Sequence, residues 1–142
     1  MMQAFYAAVA AFAFSLIFNI DRKSALFASV AGGLSWAIYL AVFARTASEP
    51  AAYLLAALFT GLASELLAVA LKKPATLFVV SSMIPLVPGA NLYRTMVEAV
   101  AGRHEAALSE GIRALVIAGA IATGLALAAS LARIYSRVRR AV

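Results

Sequence analysis

The segment SSMIPLVPGAN, residues 81–91, interrupts an apolar stretch that runs from Ala75 to Val97. Each proline removes a backbone hydrogen-bond donor and clashes with the preceding helical turn, so Pro85 and Pro88 exclude one continuous helix. The stretch is therefore predicted to form two half-helices of ~15 Å each, which together suffice for one membrane crossing with a break near its middle. Irregular backbone inside a membrane is stable only where it is buried in protein or lines a wet cavity.

On either side of this segment lie further apolar stretches, separated by short charged turns. Of the 142 residues, 65% are hydrophobic and 13% are charged, whereas about 25% of residues are charged in soluble domains. Mean hydropathy is +0.95. We predict an all-α integral membrane protein, one transmembrane domain over residues 1–142 with about five transmembrane helices, the fourth broken at Pro85–Gly89. The predicted spans are 2–20, 24–44, 51–71, 75–97 and 111–132.

Composition excludes several classes of function. The chain has no cysteine and a single histidine, His104, which excludes disulfides, thiolate nucleophiles and metal sites built from cysteine or several histidines. No nucleophile, base and metal-ligand set converges in the sequence, so we expect no enzyme and no bound cofactor or metal. We expect the net charge of +6 to orient the chain against anionic lipid in the bilayer rather than to bind nucleic acid.

The distribution of basic residues indicates the orientation. The first stretch ends at a charged cluster instead of a small-residue cleavage site, which favours a span over a cleaved signal peptide. With five crossings, one face has eight Lys and Arg residues and the other has four, whereas a re-entrant fourth stretch would blur this asymmetry. The positive-inside rule then places the N-terminus outside and the C-terminus in the cytoplasm. The eight are Arg22, Lys23, Lys72, Lys73, Arg133, Arg137, Arg139 and Arg140, and the four are Arg45, Arg94, Arg103 and Arg113. The face with four also has Glu49, Glu98, Glu105 and Glu110.

The break in the fourth span is the candidate functional site. A half-helix that starts after Pro88 and Gly89 would direct free backbone N–H groups, and the positive end of its dipole, toward an anion. Ser82 and Asn91 are close enough in sequence to add hydrogen bonds. The alternative is a proline kink that serves only helix packing.

Arg94 and Glu65, both within the predicted spans, are candidate functional residues. Arg94, one turn beyond the break, would bind a substrate carboxylate through its bidentate guanidinium, or else extend to the outer headgroups close to Glu98. Glu65 in the third span would take part in proton coupling. Its alternative role is that of an interfacial residue paired with Lys72 or with a partner chain.

Small residues recur at helical spacing and predict close contacts between helices. One such face in the third span contains Ala57, Gly61 and Glu65. In the fifth span, Gly111, Leu115 and Gly119 share one face, and Ala120, Gly124, Ala128 and Ala132 share another. Residues three or four apart lie on the same side of a helix, and small ones let two backbones approach closely.

Residues 83–96, MIPLVPGANLYRTM, resemble the signature IP-x-x-PG-x-x-x-Y of the threonine/serine exporter family. Phe18-Asn19-Ile20 at the end of the first span and Lys73-Pro74 before the signature span support the resemblance, and these landmarks extend over about two thirds of the chain. More narrowly, the chain is similar to the small YjjB-like subunit, which corresponds to the C-terminal half of the single-chain exporters.

The resemblance implies a component of the bacterial inner membrane that exports small carboxylates, either amino acids such as threonine and serine or dicarboxylates such as succinate. It also implies a separate, larger YjjP-like subunit. Five short spans are too few to enclose an alternating-access cavity, so a partner chain or several copies of this chain must complete it. The expected substrate-binding residues are Ser82, Pro85, Pro88, Gly89, Asn91, Tyr93 and Arg94, with Glu65 in coupling.

A second hypothesis remains open, a non-transporting membrane scaffold that assembles through its Ala/Gly faces. The two hypotheses differ in how water reaches the break. In a chain without cysteine, an Asn91→Cys variant reacts with a water-soluble thiol reagent if a cavity exists and stays unreactive in a dry kink.

Overall fold

In the computed structural model, residues 2–141 are described, with side chains from Met2 to Tyr135, and every regular element in that range is a helix. The all-α prediction is therefore confirmed. The side chains of Arg137, Arg139 and Arg140, which the charge count used, lie outside this description. The helices are α1 Met2–Ile17, α2 Arg22–Thr46, α3 Glu49–Leu71, α4 Ala75–Met83, a 3-10 turn Ile84–Leu86, α5 Gly89–Val100 and α6 His104–Ala141.

The lengths of the helices agree with about five membrane crossings. In the described residues, α2, α3 and the part of α6 up to Tyr135 are long and apolar enough to span a membrane. A fourth span results if α4 and α5, which are bent by 52° at their break, are taken together. The apolar α1 has 16 residues, which corresponds to ~24 Å. Three long helices, one broken pair and this shorter helix match the expected architecture.

Two boundaries differ from the predicted spans. The first helix ends at Ile17 instead of residue 20, because Asn19 adopts a left-handed conformation with φ 57° and Ile20 N–H bonds to Ser15 O at 3.0 Å. The polar region 98–110 is largely helical, and only residues 101–103 separate α5 from α6. Gly102, with φ 75°, allows this tight reversal.

The contact of α2 with α1 and α4 depends on the absence of side chains at Gly32 and Gly33. A Cβ atom at Gly32 would lie 2.9 Å from Ala11 Cβ on α1 and 3.2 Å from Ser82 O on α4, and one at Gly33 would lie 2.9 Å from Ala8 Cβ. Any larger residue would therefore push these backbones apart. Small residues allow close helix packing where no hydrophobic force acts between helices in lipid.

Of the predicted small-residue faces, Ala57 and Gly61 of α3 and Gly124 and Ala128 of α6 form the contact between these two helices. The Gly111–Leu115–Gly119 face does not, because Leu115 is 73% exposed and a Cβ atom at Gly119 would meet nothing within 4 Å. A Cβ atom at Gly124 would lie 2.5 Å from Leu54 O and 2.9 Å from Ala57 Cβ, while Gly61 contacts Ala128. The sequence positions increase together along both helices, so α3 and α6 run in the same direction. This is the relation expected of the third and fifth crossings in a five-span chain.

Ion pairs mark the two ends of the helix bundle. At what we call the Asp21 end, Asp21 caps α2 by accepting the Ser24 N–H and forms an ion pair with Lys73, just before α4. At the opposite Glu49 end, Glu49 in the first turn of α3 pairs with Arg113 of α6. The charge count assigned Glu49 and Arg113 to the same face, and it assigned Lys73 to the same face as Arg22, the neighbour of Asp21. Both pairs therefore support the alternation of the predicted spans.

Candidate functional site

The fourth crossing breaks where the prolines predicted it. Ile84–Leu86 form a 3-10 turn, Val87 is extended with φ −60° and ψ 131°, and a new helix begins at Gly89. Leu86 is fully buried in a core cluster with Tyr53, on the second turn of α3. The break therefore lies nearer to the Glu49 end than to the middle of α3, and not near the middle of the crossing, where the sequence predicts it.

The N-terminus of α5 is open. Pro88 occupies the N-cap position and has no side-chain hydroxyl or carboxylate to cap the first N–H groups. Gly89 is exposed, and a Cβ atom built there would meet no atom within 4 Å. The first turn of α5 therefore has space beside it and keeps the positive partial charge of an uncapped helix start.

Asn91 connects this first turn to α6. Its side-chain amide donates to Glu110 Oε2 at 3.0 Å, and its backbone carbonyl accepts the Thr95 hydroxyl at 2.8 Å. Thr95 in turn lies against Gly111, where a Cβ atom would be 3.4 Å from its methyl group. The polar side of α5 therefore faces α6, and the apolar side chains of Tyr93, Met96 and Val100 are exposed.

The residues predicted to bind substrate do not all come together. Pro88, Gly89 and Asn91 adjoin one another at the start of α5. Ser82 lies on α4, where its buried hydroxyl donates to Ala28 O of α2 at 2.9 Å. Pro85 lines a shallow cavity of about 280 Å³ whose other walls belong to α1 and α2.

Tyr93 and Arg94 lie on the outer surface of α5. Tyr93 is 69% exposed, and Arg94 is also exposed. The carboxylate of Glu98, four residues after Arg94, pairs instead with Arg103 in the loop that follows α5. Among the described side chains, none forms an ion pair with Arg94.

Glu65 is half-buried on α3, towards the Asp21 end. Its predicted alternative partner, Lys72, forms no ion pair with it, and no other described residue does so. The neighbouring Ser64 hydroxyl is fully buried and is the one buried side-chain oxygen or nitrogen in residues 2–135 that lacks a hydrogen-bond partner.

Sequence reasoning missed three contacts between helices that surround the break. Arg113 binds Glu49 through two N–H groups, Tyr39 and Tyr53 pack with ring centroids 4.5 Å apart, and Ser35 and Thr60 hydroxyls lie 2.7 Å apart. For the first contact, the charge count did place both residues on one face. The others require the rotation of each helix, which spacing alone does not give.

The described residues contain no group of three or more His, Cys, Asp and Glu side chains that could hold a metal ion. The polar groups near the break are instead amide, carboxylate and guanidinium groups, together with the helix start of α5. Such groups bind small charged organic molecules by hydrogen bonds and ion pairing.

A family model described as Threonine/Serine exporter, ThrE, matches residues 3–131. This range contains α1 to α5 and most of α6, including the break and the Glu49–Arg113 ion pair. No curated protein and no solved structure shows significant similarity to the chain.

Proposed function

Because the chain belongs to the threonine/serine exporter family, we propose that it is the membrane subunit of an exporter of small carboxylates. The cargo is threonine or serine, or a dicarboxylate such as succinate. The family and the apolar helices make the chain a multi-pass membrane protein of transporter type. We further propose that a larger YjjP-like subunit completes the export route.

The observation that carries this proposal is the open N-terminus of α5. The Gly89 N–H bonds to Val87 O at 2.7 Å, whereas in the described residues the N–H groups of Ala90 and Asn91 form no backbone hydrogen bond to the residues before α5. These N–H groups, with the helix dipole, favour a negatively charged ligand. Gly89 leaves the approach to these groups free. Discontinuous helices that direct a half-helix N-terminus at an anionic group are a recurring construction in transporters.

The residues around this N-terminus have different roles in the proposal. Pro85 and Pro88 create the break. Asn91 orients the substrate when its side-chain amide releases Glu110 and binds the substrate instead. Ser82 holds α4 against α2. Tyr93 and Arg94 are exposed, so they are available to the larger subunit and to a substrate bound between the two chains.

The larger subunit is required because α5 has no buried residue and packs mainly on α6. The depressions beside it, including one of about 420 Å³ lined by Met96, Val97, Val100 and Ala101, are shallow and apolar. A carboxylate site needs walls on several sides to exclude lipid. We assign Glu65 to proton coupling, since its half-buried carboxylate has no ion-pair partner in the described part of α3 or its neighbours.

The proposal is tested by efflux of labelled threonine and labelled succinate from proteoliposomes. One preparation contains this chain alone, and the other contains it with the candidate larger subunit. Efflux that requires both chains supports the two-component exporter and identifies the cargo. Absence of efflux from both preparations, with insertion verified, would instead favour the scaffold hypothesis.

A Gly89→Leu variant tests the site itself. Nothing lies within 4 Å of the added Cβ, so we expect the fold to tolerate leucine while its side chain covers the start of α5 and abolishes efflux. Gly119→Leu is the matched control, because Gly119 is also exposed and also has no neighbour within 4 Å. Normal efflux by the Gly89 variant would show that the start of α5 does not bind the substrate.

A further inference from the structure

Arg113 holds a carboxylate in a two-point arrangement. Its Nε donates to Glu49 Oε2 at 2.7 Å and its Nη2 donates to Glu49 Oε1 at 3.1 Å. This parallel pair of hydrogen bonds is the geometry by which arginine recognises any carboxylate, whether of a side chain or of a free small molecule. Glu49 therefore occupies a position that fits the carboxylate of a substrate.

The helical hairpin of α5 and α6 brings Arg113 level with the helix break. The two helices are antiparallel, and Thr95 lies against Gly111. Asn91 lies one turn before Thr95 on α5. Because the helices are antiparallel, Asn91 is level with the part of α6 one turn after Gly111, which is close to Arg113. Glu110, which accepts the Asn91 amide, is three residues before Arg113 and lies on the same side of α6.

The ion pair is exposed enough to exchange. The Arg113 side chain is 51% exposed and the Glu49 side chain 21% exposed. Solvent weakens a pair of this kind, so it contributes little to stability and its partners can be replaced. Leu86 of the break and Tyr53, one turn after Glu49, belong to the buried cluster beneath this region. The helices thus keep their packing when the pair opens.

We propose that Arg113 is a second carboxylate-binding residue on the export route, and that Glu49 holds its guanidinium while no substrate is present. The inference rests on the proposed function, because it takes a small carboxylate as the cargo. The substrate carboxylate replaces Glu49 on Nε and Nη2 of Arg113. The released Glu49, together with Glu110, then favours cargo with an amino group and repels a second carboxylate.

The test is the dependence of efflux on internal threonine concentration in proteoliposomes that contain the complete exporter. Glu49→Gln removes the competing carboxylate, and we expect the half-saturating concentration to fall about two- to fivefold, the range that an exposed ion pair can supply. Arg113→Gln removes the guanidinium and its two parallel N–H donors, and we expect the half-saturating threonine concentration to rise about tenfold or more. Arg113→Lys keeps the positive charge but lacks the two parallel N–H donors, and it is also expected to raise the half-saturating concentration.

Two controls separate substrate binding from a structural role. Glu98→Gln breaks the other exposed Arg–Glu pair at this end, with Arg103, and is expected to leave the half-saturating concentration unchanged. The exchanged variant, Glu49→Arg with Arg113→Glu, retains an ion pair but moves the guanidinium to α3. A structural pair would be restored by this exchange, whereas a substrate-binding Arg113 would not.

The outcomes distinguish this inference from the function on which it rests. Efflux by the unmodified exporter with unchanged half-saturation in the Glu49 and Arg113 variants would overturn the role of the ion pair and leave the exporter function intact. Full recovery in the exchanged variant would also overturn it. Absence of carboxylate efflux from the unmodified exporter would overturn both.

Discussion

Asp21 stabilises two helix starts at once. Its carboxylate accepts the backbone N–H of Ser24 at 3.2 Å as the N-cap of α2, and it also binds the ammonium group of Lys73 ahead of α4. Lys73 and the Ser24 N–H lower the pKa of this carboxyl from 3.8 to about 2. Asp21 lies outside the membrane-spanning helices, so its proton exchanges with water.

This lowered pKa predicts how stability depends on pH. A carboxyl whose pKa is lower in the folded state stabilises the fold above its unfolded pKa, and the contribution disappears as pH falls through the folded value. We therefore expect the difference in melting temperature between the protein and its Asp21→Asn variant, measured in detergent, to shrink between pH about 4 and about 2. Asparagine still caps a helix, so the variant removes only the charge. An unchanged difference across that range would contradict the assignment.

At the residue scale, sequence patterns could predict which polar side chains lie near the break, but not which groups they hydrogen-bond to. The sequence places Asn91 at the break, and in the structure it lies at the open start of α5 and donates to Glu110, while its role in substrate binding stays a prediction. Ser82 was singled out for the same reason, yet its hydroxyl faces α2 and bonds to Ala28 O. Whether a serine faces a site or a neighbouring helix depends on the rotation of that helix, which two prolines nearby do not determine.

Among the helices, the contact of α3 with α6 has the least tolerance for added atoms. A Cβ atom at Gly124 would meet two backbone atoms, Leu54 O at 2.5 Å and Leu58 N at 2.9 Å. Backbone atoms in packed helices cannot move aside as the end of a side chain can, so α6 must shift as a whole. Overpacking of this kind costs about 1–3 kcal/mol.

We therefore expect Gly124→Ala to lower the melting temperature in detergent and Gly119→Ala to leave it unchanged or raise it, because alanine favours the helix more than glycine does. Both substitutions add one methyl group to α6, but a Cβ atom at Gly119 meets nothing within 4 Å. Thermal unfolding of the two variants, with size-exclusion profiles, measures the difference. Equal melting temperatures would show that α3 and α6 do not pack through Gly124 in the membrane protein.

The break between α4 and α5 could be predicted because its cause is local, whereas the length of α5 could not. Proline has no backbone N–H and clashes with the preceding turn, so it disturbs the interior of any helix. By contrast, α5 and α6 extend through a polar region because Asn91 bonds to Glu110 and Glu98 pairs with Arg103. Those partners are found only when the hairpin has formed, so the sequence alone ended the predicted fourth span at residue 97.

For the whole molecule, the two ion pairs and the parallel course of α3 and α6 define opposite ends. Arg22, Lys23, Lys72 and Lys73 lie at the Asp21 end, toward which α6 also runs. Basic residues concentrate on the cytoplasmic side of membrane proteins. We therefore propose that the Asp21 end faces the cytoplasm of a bacterial cell, with the Glu49 end outside the inner membrane.

Single cysteines introduced into this cysteine-free chain test the orientation. We expect Ser48→Cys, beside the start of α3, to react with a membrane-impermeant thiol reagent on intact spheroplasts. Lys72→Cys, at the other end of the same helix, is expected to react only after permeabilisation. The opposite pattern would invert the molecule in the membrane, and reaction of both variants on intact spheroplasts would contradict the span of α3.

The polar seam between α5 and α6 has a consequence for biogenesis. Synthesis proceeds from the N-terminus, so α5 leaves the ribosome before α6, and at that moment Asn91 has no Glu110 to bind. A short helix with an unpaired amide and Arg94 is costly to insert into lipid. Because residues 101–103 form so short a connection, the two helices are expected to enter the bilayer together, and a nascent chain that stops before α6 should leave α5 at the membrane surface.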